Sequence, residues 1–242
     1  VMASPLSGAD SRETFDVLPY AEAVSDYLLS RMTELHLPRK LKVAFSNTEE
    51  NLTHANMRDL GFVANPDGTF SVYCAGGLGP NPKMGVLVER QGKPENVSLY
   101  VNAMLRLFTR YGEYKVRAKS RSRYLQDTLG EEGIKKEYLR CLEEAKREEI
   151  SWPVFYSHPV LKNGEGEIEG PRIFPQKQLG LYGVSYHPIG GCLTQKSIMV
   201  LCEVLKNIPD TEIRLSPDGT MYLLHLTAKE VPRILEATGG GG

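Results

Sequence analysis

The sequence predicts an α+β fold. A mixed sheet covered by helices occupies residues 1–150, a loop-rich linker runs over 151–178, and a smaller α+β unit fills 179–242. Three observations predict this. Apolar residues recur at helical steps in two segments of the first 150 residues, and a third mixes Glu and Lys at helical spacing. Short β-rich runs separate those segments, with a strong hairpin signal at Asn65-Pro66-Asp67-Gly68. Four prolines and three glycines crowd residues 151–177, and a different texture of strands and helices begins after them.

Taken in order, residues 1–11 read as a small-residue loop around Ser4-Pro5-Leu6-Ser7-Gly8. From Phe15 to Leu35, the residues Leu18, Ala21, Val24, Leu28 and Met32 recur at three- and four-residue steps. They predict an amphipathic helix with Pro19 in its first turn. Pro38 closes that segment, and Leu41–Phe45 is apolar and β-branched enough for a buried strand. Lys40 and Lys42 flank Leu41, so in a strand their ammonium groups share one face, about 7 Å apart. Such a pair faces either solvent or an anion, and charged strand ends in solvent are common. Asn47–Asn56 is a polar loop containing His54, a residue without an identifiable acid or metal partner in the sequence.

Leu60–Ala64 and Thr69–Cys74 form the expected hairpin around Asp67-Gly68. A glycine-rich loop follows, with Gly76, Gly77 and Gly79 ahead of Pro82-Lys83-Met84-Gly85. Its glycines admit backbone geometries closed to other residues and let a flat or anionic ligand approach backbone amides. It is neither a P-loop nor a dinucleotide fingerprint, because neither spacing is met. Gly85–Glu89 resumes as a strand, and Val97–Gly112 carries Val101, Met104, Leu105 and Phe108 on one helical stripe. A basic run then brings Lys115, Arg117, Lys119, Arg121 and Arg123 together without an acid. Leu125–Glu149 mixes Glu and Lys at helical spacing and reads as a surface helix.

Beyond the loop-rich stretch come a strand at 180–187, a helix at Leu193–Leu205 capped by Thr194, and two strands, Glu212–Leu215 and Met221–Leu226, joined by Pro217-Asp218-Gly219. A short helix closes the run at Lys229–Ala237. This order is that of half a ferredoxin-like sandwich with an open edge.

Composition bounds the function. The 242 residues carry a net charge of −1, so no general affinity for nucleic acid is indicated and any anion site must be local. No apolar run approaches the roughly 20 residues needed to span a bilayer, and Val1-Met2-Ala3-Ser4-Pro5 does not read as a signal peptide. Neither nucleic acid nor membrane is an expected partner. Cys74, Cys141, Cys192 and Cys202 show no metal-motif spacing, so no metal ligands are expected from them. Reduced thiols in a cytoplasmic protein are the expectation. The run Gly239–Gly242 reads as a linker or a cut, and the chain as a piece of something longer.

Leu37–Ser46, His54–Ala64 and the Gly76–Gly79 loop with Pro82–Gly85 together resemble the sirohaem-dependent nitrite and sulfite reductases. So do Arg117–Tyr124 and Gly180–Gly191, in the family's order. The chain looks like that family's first sirohaem domain followed by its second ferredoxin-like half. The resemblance implies a part of an enzyme that reduces sulfite to sulfide or nitrite to ammonia by six electrons, with ferredoxin or a similar protein as donor. It implies sirohaem and, in the full-length protein, a 4Fe–4S cluster. By motif position, Lys40 and Lys42 correspond to the active-site lysines. Arg39, Arg121 and Arg123 would grip sirohaem carboxylates, and Gly76 and Gly77 would line the macrocycle. The family's Cys-x5-Cys and Cys-x3-Cys cluster ligands are absent here, so the isolated chain is expected to be inactive. A non-catalytic relative, structural or tetrapyrrole-binding, is the alternative.

Overall fold

In the computed structural model, which describes residues 1–148, 152, 153 and 155–239, the chain divides into two units. One comprises residues 1–4 and 14–157, the other 5–13 and 158–242. Glu149, Ser151 and Gly240–Gly242, on which expectations were placed, lie outside the described residues.

The first unit is built on a five-stranded mixed sheet in the order β1-β2-β3-β4-β5. Its strands are β1 (Met2–Ala3), β2 (Val43–Ser46), β3 (Leu60–Ala64), β4 (Phe70–Cys74) and β5 (Val86–Gly92). β2 runs parallel to β1 and β3, whereas β4 is antiparallel to β3 and β5. β2 and β3 are buried along their whole length, as their near-continuous apolar sequences require. The β3–β4 hairpin closes at Asn65–Gly68, where Gly68 takes φ +81° and the Thr69 carbonyl accepts the Asn65 N–H at 2.8 Å. Phe45 and Phe62 stack at 4.5 Å across β2 and β3, and Phe70 meets both edge-on.

Three helices accompany this sheet: α1 (Leu18–Ser30), α2 (Val97–Tyr111) and α3 (Leu125–Ala145). α2 buries the expected stripe of Val101, Met104, Leu105 and Phe108, and α3 contributes Ile134, Tyr138 and Leu142 to the same core. α1 is shorter than its periodicity predicts. Beyond Ser30 the chain closes single turns, and Met32, expected on the buried stripe, is 67% exposed. α3 contains Gly130 at φ +68°, a break in the helix that the charge pattern did not announce.

β2 also starts two residues later than predicted, and the reason is local. The Lys42 carbonyl accepts the Leu60 N–H at 3.1 Å, but the Lys42 N–H is taken at 2.8 Å by the side chain of Asp59. The sheet ladder therefore begins at Val43, and Lys40 lies outside it.

The second unit holds a four-stranded antiparallel sheet in the order β6-β7-β9-β8. Its strands are β6 (Ile173–Pro175), β7 (Tyr182–Tyr186), β8 (Glu212–Leu215) and β9 (Met221–Leu226), with helices α4 (Gln195–Leu205) and α5 (Val231–Ala237). The element order after residue 179 follows the sequence reading, and the Thr194 hydroxyl caps α4 by accepting the Ser197 N–H at 3.1 Å. β6 arises inside the stretch read as linker. It is an edge strand, where Pro175 is tolerated. Residues 5–13, read as part of a plain loop, pack into this unit: the Ala9 carbonyl accepts the Lys177 N–H at 2.9 Å, and the Pro5 carbonyl accepts from Arg214 at 3.2 Å. Among the described residues no helix is long and apolar enough to cross a membrane.

Candidate functional site

The two basic segments meet in the first unit. Arg39 and Lys42 come from the approach to β2, Asp59 from the residue before β3, Gly77 and Gly79 from the loop after β4. Arg117 and Arg123 come from two short 3-10 turns, Arg117–Lys119 and Ser122–Tyr124, and Arg121 from the two-residue link between them. Together they line a cleft of about 310 Å³.

Arg123 is 7% exposed, and its guanidinium passes beneath the glycine loop. A Cβ added at Gly77 would lie 3.4 Å from Arg123 Cδ, and one at Gly79 would lie 3.2 Å from Nη2. The loop lacks side chains where the arginine runs. Arg123 also stacks over the ring of Tyr124 at 5.0 Å. Its Nε and the Nη1 of Arg121 are buried without a hydrogen-bond partner among the described residues. Buried donors are nearly always satisfied, so two orphans in one cleft mark a place where an acceptor is wanted.

The electrostatics agree. Arg39 is pushed below the ordinary arginine range first by Arg117, then by desolvation and by Arg121. Lys42 is pushed below the ordinary lysine range by burial, opposed by Asp59 and reinforced by Arg121, Lys40 and Arg58. Asp59 is the single carboxylate lining the cleft. It lies 3.8 Å from Lys42 Nζ and also accepts a hydrogen bond from the Ser122 hydroxyl. Arg39, Arg117, Arg121 and Arg123 form no ion pair among the described residues.

The remaining sequence-read residues fall elsewhere. Lys40 is exposed and borders a second, more apolar depression with Leu28, Met32 and Leu37, which Arg39 also touches. Gly76 does not line the cleft. It packs against backbone: a Cβ there would lie 2.8 Å from the Arg58 carbonyl oxygen and 2.9 Å from the Gly85 nitrogen. His54 is exposed, with φ +51°, and serves as a turn residue before the Ala55–Met57 turn. Lys83 pairs with Asp127. Sequence reasoning missed Asp59 and Ser122, because an acid beside a strand and a serine between two arginines carry no pattern of their own.

Two cofactors follow from the resemblance, and the residues fit only one. Sirohaem presents carboxylates at its rim, and a cleft of arginines with orphaned donors beside a side-chain-free loop suits that rim. The cysteines do not suit a 4Fe–4S cluster. Cys74 and Cys141 are buried, Cys192 and Cys202 are exposed, and burial pushes the Cys74 thiol far up, away from the thiolate a cluster needs. Among the described residues no three metal-ligating side chains gather.

Comparison with known proteins places these observations. Residues 1–146 match the family described as "Nitrite and sulphite reductase 4Fe-4S domain", and residues 174–239 match "Nitrite/Sulfite reductase ferredoxin-like half domain". Ferredoxin–nitrite reductase of Synechococcus elongatus is 27% identical over 244 residues, 97% of this chain and 46% of that enzyme. Sulfite reductase [ferredoxin] 1 of Mycolicibacterium paratuberculosis is 24% identical, over 97% of this chain and 41% of that enzyme. The structure of the NirA protein of Mycobacterium tuberculosis superposes with a TM-score of 0.76 at 23% identity, over 99% of this chain and 43% of that one. That likeness shows the fold. The chain spans less than half the length of these curated relatives.

Proposed function

The chain belongs to the nitrite and sulphite reductase 4Fe-4S family, and on that premise we propose that it forms the sirohaem-binding part of a reductase acting on nitrite or sulfite. In this reading residues 1–150 are the sirohaem-binding domain and 179–242 a ferredoxin-like half, with the enzyme cytoplasmic and fed by ferredoxin or a similar donor. The full-length enzyme also uses a 4Fe–4S cluster, whose ligands lie outside this chain. The observation that carries the reading is the cleft itself: Arg121 and Arg123 hold buried, partnerless donors in a cluster of cations with one acid.

When bound, sirohaem supplies the electron pathway to the oxyanion. The chain's own residues do the rest. Arg39, Arg117, Arg121 and Arg123 neutralise carboxylates at the ring edge and fix its orientation. Lys42 reaches the same cleft and donates hydrogen bonds to a bound oxyanion. Its surroundings press it toward releasing a proton, which suits a reaction that consumes protons as oxygen leaves. Lys40, exposed on the adjacent surface, adds positive charge near the cleft.

The test is sirohaem absorbance per chain in the full-length enzyme for Arg121→Met and Arg123→Met, with folding followed by circular dichroism. Folded variants that lose most of their sirohaem support the reading; full sirohaem content in both overturns it. A second reading is a non-catalytic tetrapyrrole-binding or structural module. Iron and acid-labile sulfide in the full-length protein separate the two.

A further inference from the structure

An anion-binding cleft should not contain a buried carboxylate, yet this one does. Asp59 is 3% exposed. One of its oxygens accepts the Lys42 backbone N–H at 2.8 Å and lies 3.8 Å from the Lys42 ammonium. The other accepts from the Ser122 hydroxyl, between Arg121 and Arg123. The Asp59 backbone carbonyl accepts the Ala75 N–H at 2.9 Å, at the root of the glycine loop. All three segments that build the cleft therefore meet on one residue.

We infer that Asp59 is the positioning residue of the cleft: its carboxylate ties the Arg39–Lys42 segment to the Arg121–Arg123 segment and aims the Lys42 side chain. Repulsion among the cations would otherwise push these segments apart, since Arg39, Arg117 and Arg121 oppose one another. A buried carboxylate bonded to a backbone N–H and a hydroxyl offsets that repulsion within the wall of the cleft. The same charge opposes the burial, and the repulsion from Arg121, Lys40 and Arg58, that push Lys42 below the ordinary lysine range. The inference rests on reading this cleft as the ligand site, but its test needs no ligand.

The test uses the 242-residue chain, ¹³C-methylated at lysine, with Lys42 assigned through Lys42→Arg. Asp59→Asn keeps the size and an acceptor but removes the charge. Its Lys42 proton-dissociation constant is expected to rise about three- to fivefold, the size of a half-exposed ion pair. Amide exchange should quicken at least about threefold over both 39–42 and 117–124. Ser122→Ala cuts only the tether, so it should quicken exchange in both segments and leave the Lys42 titration in place. An Asp59→Asn protein whose Lys42 titration does not move, or whose exchange quickens only beside residue 59, overturns the inference. If Asp59→Asn fails to fold, Ser122→Ala decides alone: unchanged exchange over both segments means that Asp59 does not couple them. Loss of sirohaem in the arginine variants is a separate result, so either idea can fail without the other.

Discussion

Gly76 and Gly77 are adjacent and look alike in the sequence, but the structure assigns them opposite jobs, and one substitution at each separates those jobs. At Gly76 a methyl group would sit 2.8 Å from the Arg58 carbonyl oxygen and 2.9 Å from the Gly85 nitrogen, both backbone. Neither can turn aside. Room for the methyl would come only by breaking the Gly76 N–H bond to Arg58 (3.0 Å) or the Gly85 N–H bond to Asn56 (2.7 Å). Overpacking of this kind costs about 1–3 kcal/mol, and we take about 2 for Gly76→Ala. At Gly77 the nearest atoms belong to the flexible Arg123 side chain at 3.4 Å and beyond, so Gly77→Ala should stay within about 0.5 kcal/mol of the parent. Trp152, the only tryptophan, packs on Tyr27 at 4.1 Å and reports the unfolding of the first unit alone. With a urea slope of about 2 kcal/mol per molar, Gly76→Ala should lower the fluorescence midpoint by about 1 M and Gly77→Ala by less than about 0.3 M. In the full-length enzyme Gly77→Ala should still reduce sirohaem content, because the added methyl narrows the cleft beside Arg123. Equal midpoints for the two variants would refute the assignment of Gly76 to packing and Gly77 to the cleft.

The other predictions concern charge. In the full-length enzyme, Lys42→Met should lower turnover with nitrite or sulfite by about 100-fold or more while sirohaem content holds, the loss typical of one preorganised donor. Lys40→Met should cost less, since Lys40 does not line the cleft, and full turnover in Lys42→Met would return that residue to a solvated role. In the second unit Glu212 takes a bidentate pair from Arg214 at 2.8 and 2.9 Å and a bond from His225 at 3.3 Å. His225 first, then Arg214, hold its carboxyl down to about 2 despite the opposing effect of burial. A depressed carboxyl stabilises above its unfolded value and loses that contribution as pH falls toward 2. Because the side chain is partly exposed, about 1 kcal/mol is expected at neutral pH after solvent screening. Amide exchange in β8 and β9 should show Glu212→Gln less protected at pH 6 and level with the parent near pH 2; an equal difference at both would refute it.

How much of this was legible depended on how local each cause was. α2 was legible because four apolar residues at helical steps have to share one face, and the β3–β4 hairpin because Asp67-Gly68 supplies the positive φ the turn needs. The cations at 39–42 and 117–123 were visible as a composition, and Arg39, Lys42, Arg117, Arg121 and Arg123 among them converge. What failed was non-local. Residues 5–13 join the second unit through bonds to residues about 170 and 200 positions away, which no window could show. β6 hid in a proline-rich stretch because an edge strand of three residues needs no pattern. The strand-face argument for Lys40 and Lys42 failed because Asp59 intercepts the Lys42 N–H before the ladder forms, so Lys42 enters the cleft and Lys40 does not. Gly76 and Gly77 could not be told apart, because the difference lies in what stands opposite them.

The chain contains two clusters of arginine, and the contrast between them gives the strongest reason to read one as a ligand site. On α2, Arg106 and Arg110 face α3, and each finds a carboxylate: Arg110 pairs with Glu144 at 2.7 Å, Arg106 with Glu144 at 3.7 Å and also with Glu148. There Glu144 of α3 and Glu148 just beyond it lie opposite the arginines of α2, and the arginines join elements of the fold. In the cleft the acids are withheld. Net charge for the whole chain is −1, so carboxylates were available in number, yet residues 115–126 contain none and Asp59 alone lines the site. Folding brings these cations together at a cost in repulsion, visible in Arg39, and leaves buried donors on Arg121 and Arg123 unmet, as it leaves Arg106 Nε. A protein that needed them only for stability would gain by pairing them as it pairs Arg106 and Arg110. Arg39 and Arg117 keep contact with water, but the buried donors of Arg121 and Arg123 would be satisfied by an anionic ligand, and its binding energy would then also become stability of the first unit.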